Sequence, residues 1–176
     1  MCDRFARIVS DRTLIPSWAK DAKVGSRLAN ARAETVAEKP SFRSAFKKRR
    51  CLIPASGFYE WQKQATGPKQ PFYIHPRDEE LFSFAGLWEA WHDPESEEVE
   101  TCAILTTTAN ELMHPIHDHM LVILSPCSEE QWLDPRASTE ELQLLLVPCA
   151  SEGMEARRVG MWVIIRSTKG RSASSR

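Results

Sequence analysis

The sequence predicts one α+β domain that is built mainly from antiparallel strands and carries several short helices. Its 176 residues are 42% hydrophobic and 27% charged, which suits a single globular domain with its own core. Short runs of β-branched and aromatic residues alternate with Gly, Pro and charged turn residues through the middle of the chain. Runs with helical spacing are short and lie on either side of that region. Together these patterns favour a mixed, largely antiparallel fold.

The first quarter of the chain is predicted to hold a loop followed by two short helices. Residues 14–32 combine Pro, Gly and adjacent charged residues, which predicts an irregular loop. Helices are predicted at Glu34–Glu38 and Ser41–Lys48. In the second helix, Ser41 is the expected N-cap.

Strands dominate the prediction from residue 51 onwards. The alternation of Phe82 and Phe84 with smaller residues suits a strand that is covered on at least one face. Two capped helices are predicted near the end of the domain, at Ser128–Leu133 and Ser138–Leu146. The predicted strands are Cys51–Pro54, Phe58–Gln62, Phe72–His75, Leu81–Trp88, Thr101–Thr107 and Leu121–Leu124.

Composition also bears on compartment and partners. No run approaches the roughly 20 apolar residues of a membrane span, and the first residues contain no apolar signal-peptide run, so a cytoplasmic protein is expected. The five cysteines are odd in number and never form C-x-x-C, which favours reduced thiols. With a net charge of −1, any DNA surface must come from local cationic clusters. Residues 43–50 and 157–176 qualify, although a solvated face or a disordered tail is the alternative.

Cys2 is the first residue whose position suggests specific chemistry. Removal of Met1 would give Cys2 a free α-amine and a thiol, with reference pKa values of about 7.7–8.0 and about 8.5. An aldehyde condenses with such an amine to an imine, and the thiol then closes a thiazolidine with an effective molarity up to roughly 10⁵ M or more. An aldehyde is therefore the suggested substrate class. The alternative is that a cysteine at this position is incidental.

Several motifs occur in a fixed order between residues 14 and 150, after Met1-Cys2. Together they closely resemble the SOS response-associated peptidase (SRAP) family. The resemblance implies one SRAP-like domain over residues 1–160 with barrel-like sheets, followed by a divergent and disordered tail at 161–176. The motifs are Leu14–Lys20, Asn30–Thr35, Arg50–Trp61, Phe84–Trp88 and His117–Met120.

The same resemblance implies a function in the DNA damage response. Members of the family form a thiazolidine with the ring-opened sugar aldehyde of an abasic site in single-stranded DNA, which shields the lesion from strand cleavage. They are also described as autopeptidases that remove their own initiating methionine. The implied partner is single-stranded DNA with abasic sites, bound by a monomer that joins the nucleoid when on DNA. No metal, organic cofactor or membrane is implied.

The resemblance assigns four catalytic residues. Cys2 matches the nucleophile, and Glu60 matches the acid/base carboxylate that moves protons during imine formation. His117 matches the histidine that assists sugar ring opening and reversal, a role that suits an imidazole titrating near neutrality. Asn30 matches an amide that orients the terminal cysteine or the substrate. Without the resemblance, Glu60 would equally be a strand residue that points to solvent.

Arginines supply the expected DNA contacts. Arg32 matches a phosphate contact in the family, and Arg4 and Arg43 are expected to make further ones. This chain also departs from the family pattern, because His119 stands where relatives have a DNA-contacting arginine and Leu121 stands where they have proline.

The departures leave other functions open. The chain is shortened between residues 5 and 14 relative to the family, which favours a degenerate DNA-binding or inert remnant. A thiol peptidase that acts on other proteins is the second alternative. It differs in chemistry, because a Cys/His peptidase needs only the thiolate whereas a thiazolidine also needs the free amine of Cys2.

Two further patterns have competing interpretations. His114, His117 and His119 have metal-ligand spacing, but no flanking cysteine completes a tetrahedral set, so no metal site is predicted. Trp88 and Trp91 are predicted to belong to the core, with a base-stacking platform as the alternative.

Overall fold

The computed structural model describes residues 13–78, 81–93 and 98–161. The expectations for Cys2, Arg4, residues 5–12 and the tail from 162 therefore lie outside the described residues. Within these ranges the strands are β1 (Asn30–Arg32), β2 (Arg50–Ala55), β3 (Phe58–Gln62), β4 (Gln70–Pro76), β5 (Phe82–His92), β6 (Glu98–Thr108), β7 (His119–Leu121), β8 (Ile123–Leu124) and β9 (Met154–Arg158). The α-helices are α1 (Arg43–Lys48), α2 (Pro126–Leu133) and α3 (Thr139–Leu144).

The larger sheet has the strand order β1-β6-β5-β2. Its long strands β5 and β6 are paired along part of their length and then diverge, and we call this divergence the fork. Strand β7 pairs with β6 and strand β8 pairs with β5, so both lie inside the fork. Val122, between them, donates its N–H to the carbonyl of Leu105 at 2.9 Å and accepts from the N–H of Ala85 at 3.0 Å. One residue thus joins the two separating strands.

The smaller sheet has the order β3-β4-β9, is antiparallel throughout, and packs against one face of the larger sheet. We call the apolar layer between them the inter-sheet core. The α-helices pack on the opposite face of the larger sheet, over a second layer that we call the helix-side core. The inter-sheet core comprises Phe58, Phe72, Ile74, Phe82, Phe84, Ile104, Met113, Ile116, Met120 and Met154. The helix-side core includes Ala31, Phe46, Ala85, Leu87, Leu105, Val122, Trp132 and Leu142.

Arg50 connects two helices to the start of β2. The last carbonyls of a helix lack intrahelical partners, and a guanidinium can satisfy several of them at once. Its Nε donates to the carbonyl of Trp132 at 2.6 Å and its Nη2 donates to that of Asp134 at 2.7 Å, both at the end of α2. Its Nη1 donates to the carbonyls of Phe46 and Lys47 at 2.9 and 2.7 Å, at the end of α1. Arg50 therefore holds both helices against the sheet.

The structure confirms the α+β class, and the observed strands extend or match most of the predicted ones. The exception is the predicted strand Leu121–Leu124, which is split at Val122 into β7 and β8 because Val122 bonds to both arms of the fork. The two predicted capped helices are also present, but α2 begins at Pro126 rather than at the predicted Ser128. Ser125 caps α2, and Ser138 forms a capping box with Glu141 at α3.

Three predictions near the start of the chain were wrong. Residues 34–38 form turns rather than a helix, because the single turn from Thr35 to Lys39 runs into Pro40, which has no N–H to continue it. Ser41 does not cap α1, which begins at Arg43 after an uncapped Phe42. The predicted loop over 14–32 contains a 3₁₀ helix at Ala22–Arg27 and ends in β1, which is held by parallel pairing with β6.

Within the described ranges, no helix has the length and apolar character that crossing a membrane requires.

Replacing Arg50 with methionine should destabilise the domain by about 2–4 kcal/mol, because the carbonyls at two helix ends lose their shared donor. Urea unfolding followed by circular dichroism measures this change. Arg136→Gln is the matched control, since Arg136 is an exposed arginine that pairs with Asp134, and its unfolding midpoint should stay close to that of the unmodified protein. Equal stabilities of the two variants would contradict this role for Arg50.

Candidate functional site

Asn30 and Arg32 project from β1 towards the side of the inter-sheet core. Ala31, between them, is fully buried in the helix-side core, so its neighbours must point to the other face of the sheet. The parallel register places Asn30 beside Ile104 and Arg32 beside Thr106. Both side chains are exposed, which puts them at the rim of the inter-sheet core.

Glu60 reaches the same region from the smaller sheet. It lies on β3 between Phe58, which is buried in the inter-sheet core, and Gln62, and all three share one face of the strand. The Nε2 of Gln62 donates to the carbonyl of Pro115 at 2.8 Å, which ties this face to the segment 110–118. The carboxylate of Glu60 is half-buried, and its Oε1 accepts from the N–H of Trp61 at 3.1 Å.

His117 lies on that segment, which connects β6 to β7. The Nδ2 of Asn110 donates to the carbonyl of Cys149 at 3.0 Å, and its Oδ1 accepts from the N–H of Met113 at 3.0 Å. Met113 and Ile116 are buried in the inter-sheet core, and the N–H of His117 donates to the carbonyl of Met113 at 2.9 Å. The segment is thus fixed by its apolar residues, which leaves His117 exposed next to the core.

Asp118 lies between two imidazoles. Its Oδ1 is 3.2 Å from the Nδ1 of His117 and 3.2 Å from the Nδ1 of His119. The hydrogen bond from His119 lowers the pKa of Asp118. The Nδ1 of His117 lies 3.1 Å from the backbone N–H of His119 and 3.2 Å from its carbonyl, so it accepts or donates according to the tautomer. The accepting tautomer carries the ring proton on Nε2. In this form His117 can donate a hydrogen bond through Nε2, while a protonated His117 would gain Asp118 as an ion-pair partner.

Arg158 is a cation at the site that the sequence did not single out. The register of the smaller sheet aligns Glu60, Phe72 and Arg158 in one row across three strands. The guanidinium carbon of Arg158 lies 5.7 Å from the ring centroid of Phe72. Arg158 is exposed, so it contributes positive charge to the face that carries Glu60. In the sequence Arg158 belongs only to a basic stretch. The strand pairing seen in the structure was needed to align it with Glu60.

The other predicted DNA-binding region lies on the opposite side of the larger sheet. Arg43 begins α1, which packs on the helix-side core, so the structure does not bring Arg43 together with Asn30 and Glu60. The DNA contact of Arg43 stays a prediction. In the basic run that follows, Arg49 pairs with Glu89 at 2.7 Å and Arg50 is bonded to carbonyls. Lys47 and Lys48, in the same basic run, are exposed and line a cavity of about 250 Å³.

The structure also places the residues of the histidine and tryptophan patterns. His117 and His119 both direct Nδ1 to Asp118, and the described part of the chain holds no cluster of three His, Cys, Asp or Glu suited to a metal ion. Trp91 is a core residue, 4% exposed, whose indole N–H donates to the carbonyl of Ala19 at 2.7 Å. Trp88 is half-buried.

Cys51 lies on β2 and packs against Gly86 of the neighbouring strand β5. A Cβ on Gly86 would come within 2.8 Å of the Cys51 sulfur, so the small residue makes room for the thiol. Burial, with a smaller contribution from Cys102, raises the pKa of Cys51 to about 12. Its thiol is therefore protonated near neutrality and is a poor nucleophile. Burial also raises the pKa of Cys149.

Comparisons with known proteins agree with this arrangement. The family model described as SOS response associated peptidase (SRAP) matches residues 7–164. The abasic site processing protein YoqW of Bacillus subtilis is 47% identical over 160 residues, which cover 90% of this chain and 70% of the relative. The abasic site processing protein HMCES of Gallus gallus is 33% identical over 83% of this chain and 51% of the relative.

The fold is likewise similar to that of solved structures. A crystal structure of a protein from Bacteroides thetaiotaomicron superposes with a TM-score of 0.82 and 37% identity, covering 87% of this chain and 69% of that one. A protein from Bordetella bronchiseptica superposes with a TM-score of 0.75 and 27% identity over 85% of this chain and 75% of that one.

Alkylation rates should separate the partly buried thiol of Cys51 from the exposed thiol of Cys127. With a pKa of about 12, Cys51 has a thiolate fraction of only about one in 10⁴ at pH 8, so it should react with iodoacetamide at least about tenfold more slowly than the exposed Cys127. Peptide mass spectrometry after a timed pulse measures both rates. In urea the two should react alike, and equal rates in the folded protein would show that Cys51 is accessible and ionised.

Proposed function

This chain belongs to the SOS response associated peptidase family, and on that premise we propose that it processes abasic sites in single-stranded DNA. The observation that carries the proposal is that Asn30, Glu60 and His117, from three separate segments, border one inter-sheet core. Arg32 and Arg158 add exposed positive charge to the same side. The names of the relatives, abasic site processing proteins, support abasic sites as the substrate.

The proposed reaction is a covalent cross-link through Cys2 after removal of Met1. The ring-opened sugar of an abasic site presents an aldehyde, and the amine of Cys2 adds to its carbonyl carbon. Loss of one water gives an imine, and the thiol then adds its sulfur to the imine carbon and its proton to the nitrogen. The product is a thiazolidine, formed without an external oxidant or reductant.

Glu60 and His117 are proposed to move protons at different steps. The half-buried carboxylate of Glu60 is suited to take a proton from the attacking amine and to return it to the departing hydroxyl. His117 presents Nε2 away from its bonded Nδ1, and that group is suited to donate to the sugar oxygen during ring opening. Asn30 is proposed to orient the aldehyde or the amine with its side-chain amide.

Binding of the DNA strand is proposed to rest on few phosphate contacts. Arg32 is an exposed rim cation whose guanidinium has no hydrogen bond to another described residue, and Arg158 is the second cation on this side. Arg4 would add a third. Because His119 stands where relatives have a DNA-contacting arginine, association should have a shallow salt dependence of about two or three phosphates.

A peptidase activity is proposed only for removal of Met1. Among the described cysteines, Cys51 and Cys149 have raised pKa values because they are buried, which disfavours either one as a peptidase nucleophile. The thiol of Cys2 is therefore the proposed nucleophile for both processing and cross-linking.

The substitution Cys2→Ser should abolish a stable cross-link. Serine keeps the amine and can form a labile imine, but it lacks the thiol that closes the thiazolidine. Denaturing electrophoresis after heating, with an abasic oligonucleotide as the substrate, measures the stable product. Cys127→Ser is the matched control, because Cys127 is an exposed thiol on α2, and it should cross-link like the unmodified protein. A heat-stable cross-link by Cys2→Ser at the unmodified yield would disprove the thiazolidine.

Variants of Glu60 and His117 should differ in the step that they affect. Glu60→Gln keeps the shape but cannot accept a proton, so it should slow cross-linking by about 10²–10⁴-fold. His117→Ala should chiefly change the rate of release from a preformed cross-link, with a smaller effect on formation. Time courses of formation and release measure the two rates, after a melt shows that each variant unfolds cooperatively. Unchanged rates in both variants would leave neither residue in the mechanism.

A further inference from the structure

The outer face of the smaller sheet carries a row of aromatic rings that the proposed chemistry does not use. Tyr59 and Tyr73 are direct cross-strand partners, with ring centroids 5.2 Å apart. His75 follows Tyr73 on the same face of β4, with ring centroids 5.2 Å apart and planes inclined by 27°. Tyr59 is 43% exposed, and the other two rings are half-buried. The row is therefore open to solvent along one side.

The position of the central ring is fixed by its surroundings. The hydroxyl of Tyr73 donates to the carbonyl of Ser56 at 3.2 Å. The ring lies against Gly57, where a Cβ would collide with the Tyr73 hydroxyl, so only glycine leaves this space free. Held in this way, Tyr73 needs little ordering when a flat ligand stacks on the row, and preorganisation of this kind favours binding.

Positive charge borders the rings. Arg157 on β9 is the cross-strand partner of Tyr73, and Glu155 is the partner of His75. The carboxylate of Glu155 is shared by Arg157 at 3.3 Å and Arg77 at 3.8 Å, so two guanidinium groups face one acid. The border has a net positive charge, which favours a polyanion over an uncharged apolar partner.

The row also lies next to the candidate site. Strand β3 is the edge strand of its sheet, and Tyr59 and Glu60 are successive residues that point to opposite faces. Single-stranded DNA that passes from Glu60 around this edge of the sheet would contact Tyr59 first, and then Tyr73 and His75.

We propose that Tyr59, Tyr73 and His75 form a stacking platform for bases that flank the abasic site in single-stranded DNA. The inference rests on the proposed function, because it assigns a further contact to the same substrate. Aromatic stacking tolerates any sequence, since every base has a π-face, and it is a common way to bind single strands. An abasic nucleotide offers no base of its own, so its neighbours supply this contact.

Binding to undamaged DNA tests the platform without the covalent reaction. Fluorescence anisotropy compares an oligothymidylate with a strand of equal length made of base-free tetrahydrofuran spacers. The unmodified protein should bind the oligothymidylate about 5- to 100-fold more tightly, as expected for one stacked base or more. Equal affinities for the two strands would overturn the platform, and this comparison requires no variant to fold.

Three substitutions then locate the contact. Tyr59→Leu keeps an apolar strand residue but removes the ring, and it should weaken oligothymidylate binding about fivefold or more while leaving the base-free strand unaffected. Tyr59→Phe should bind within about twofold of the unmodified protein. Leu144→Ala removes an apolar side chain that is 76% exposed on α3, on the helix side of the larger sheet, and it should also stay within about twofold.

The outcomes separate this inference from the proposed function. If Tyr59→Leu binds oligothymidylate as the unmodified protein does, the rings serve the sheet or a protein partner and the platform is wrong, whatever the cross-linking result. If the unmodified protein fails to cross-link an abasic strand, the proposed function fails even where the base preference holds. A loss of affinity for both strands alike would also contradict stacking.

Discussion

The fork between β5 and β6 is the constraint on which the rest of the structure depends. A single residue, Val122, bonds to both arms, so the registers of β7 and β8 are set together. The side chain of Met120 then enters the inter-sheet core, while that of Val122 enters the helix-side core. A slip by one residue would exchange the two faces, which strongly disfavours any other register.

This register also determines where the side chains of the candidate site lie. Strand β6 holds β1 on its outer side, and the burial of Ala31 turns Asn30 towards the smaller sheet. At the end of β6, the segment 110–118 folds onto the inter-sheet core and accepts a hydrogen bond from Gln62, two residues from Glu60. Within the described residues, strand alternation and apolar anchors therefore assemble the candidate site.

The sequence predicted well those features that depend on local patterns. The strand Phe58–Gln62 matched its predicted bounds, and Ser138 caps α3 at the predicted start of that helix, because local side-chain chemistry determines both features. Strand β1 was missed, since a three-residue strand is stabilised by its partner β6 and not by its own composition. Arg158 could not be placed for the same reason, because its alignment with Glu60 depends on pairing across three strands.

The central claim is that this chain captures the aldehyde of an abasic site through an N-terminal cysteine. Intact-mass spectrometry after incubation with an abasic single-stranded oligonucleotide tests it most directly. One adduct per chain is expected, with the mass of the protein lacking Met1 plus the oligonucleotide minus one water, and with no change on borohydride treatment. Absence of an adduct on folded protein, or an adduct on protein that retains Met1, would contradict the account.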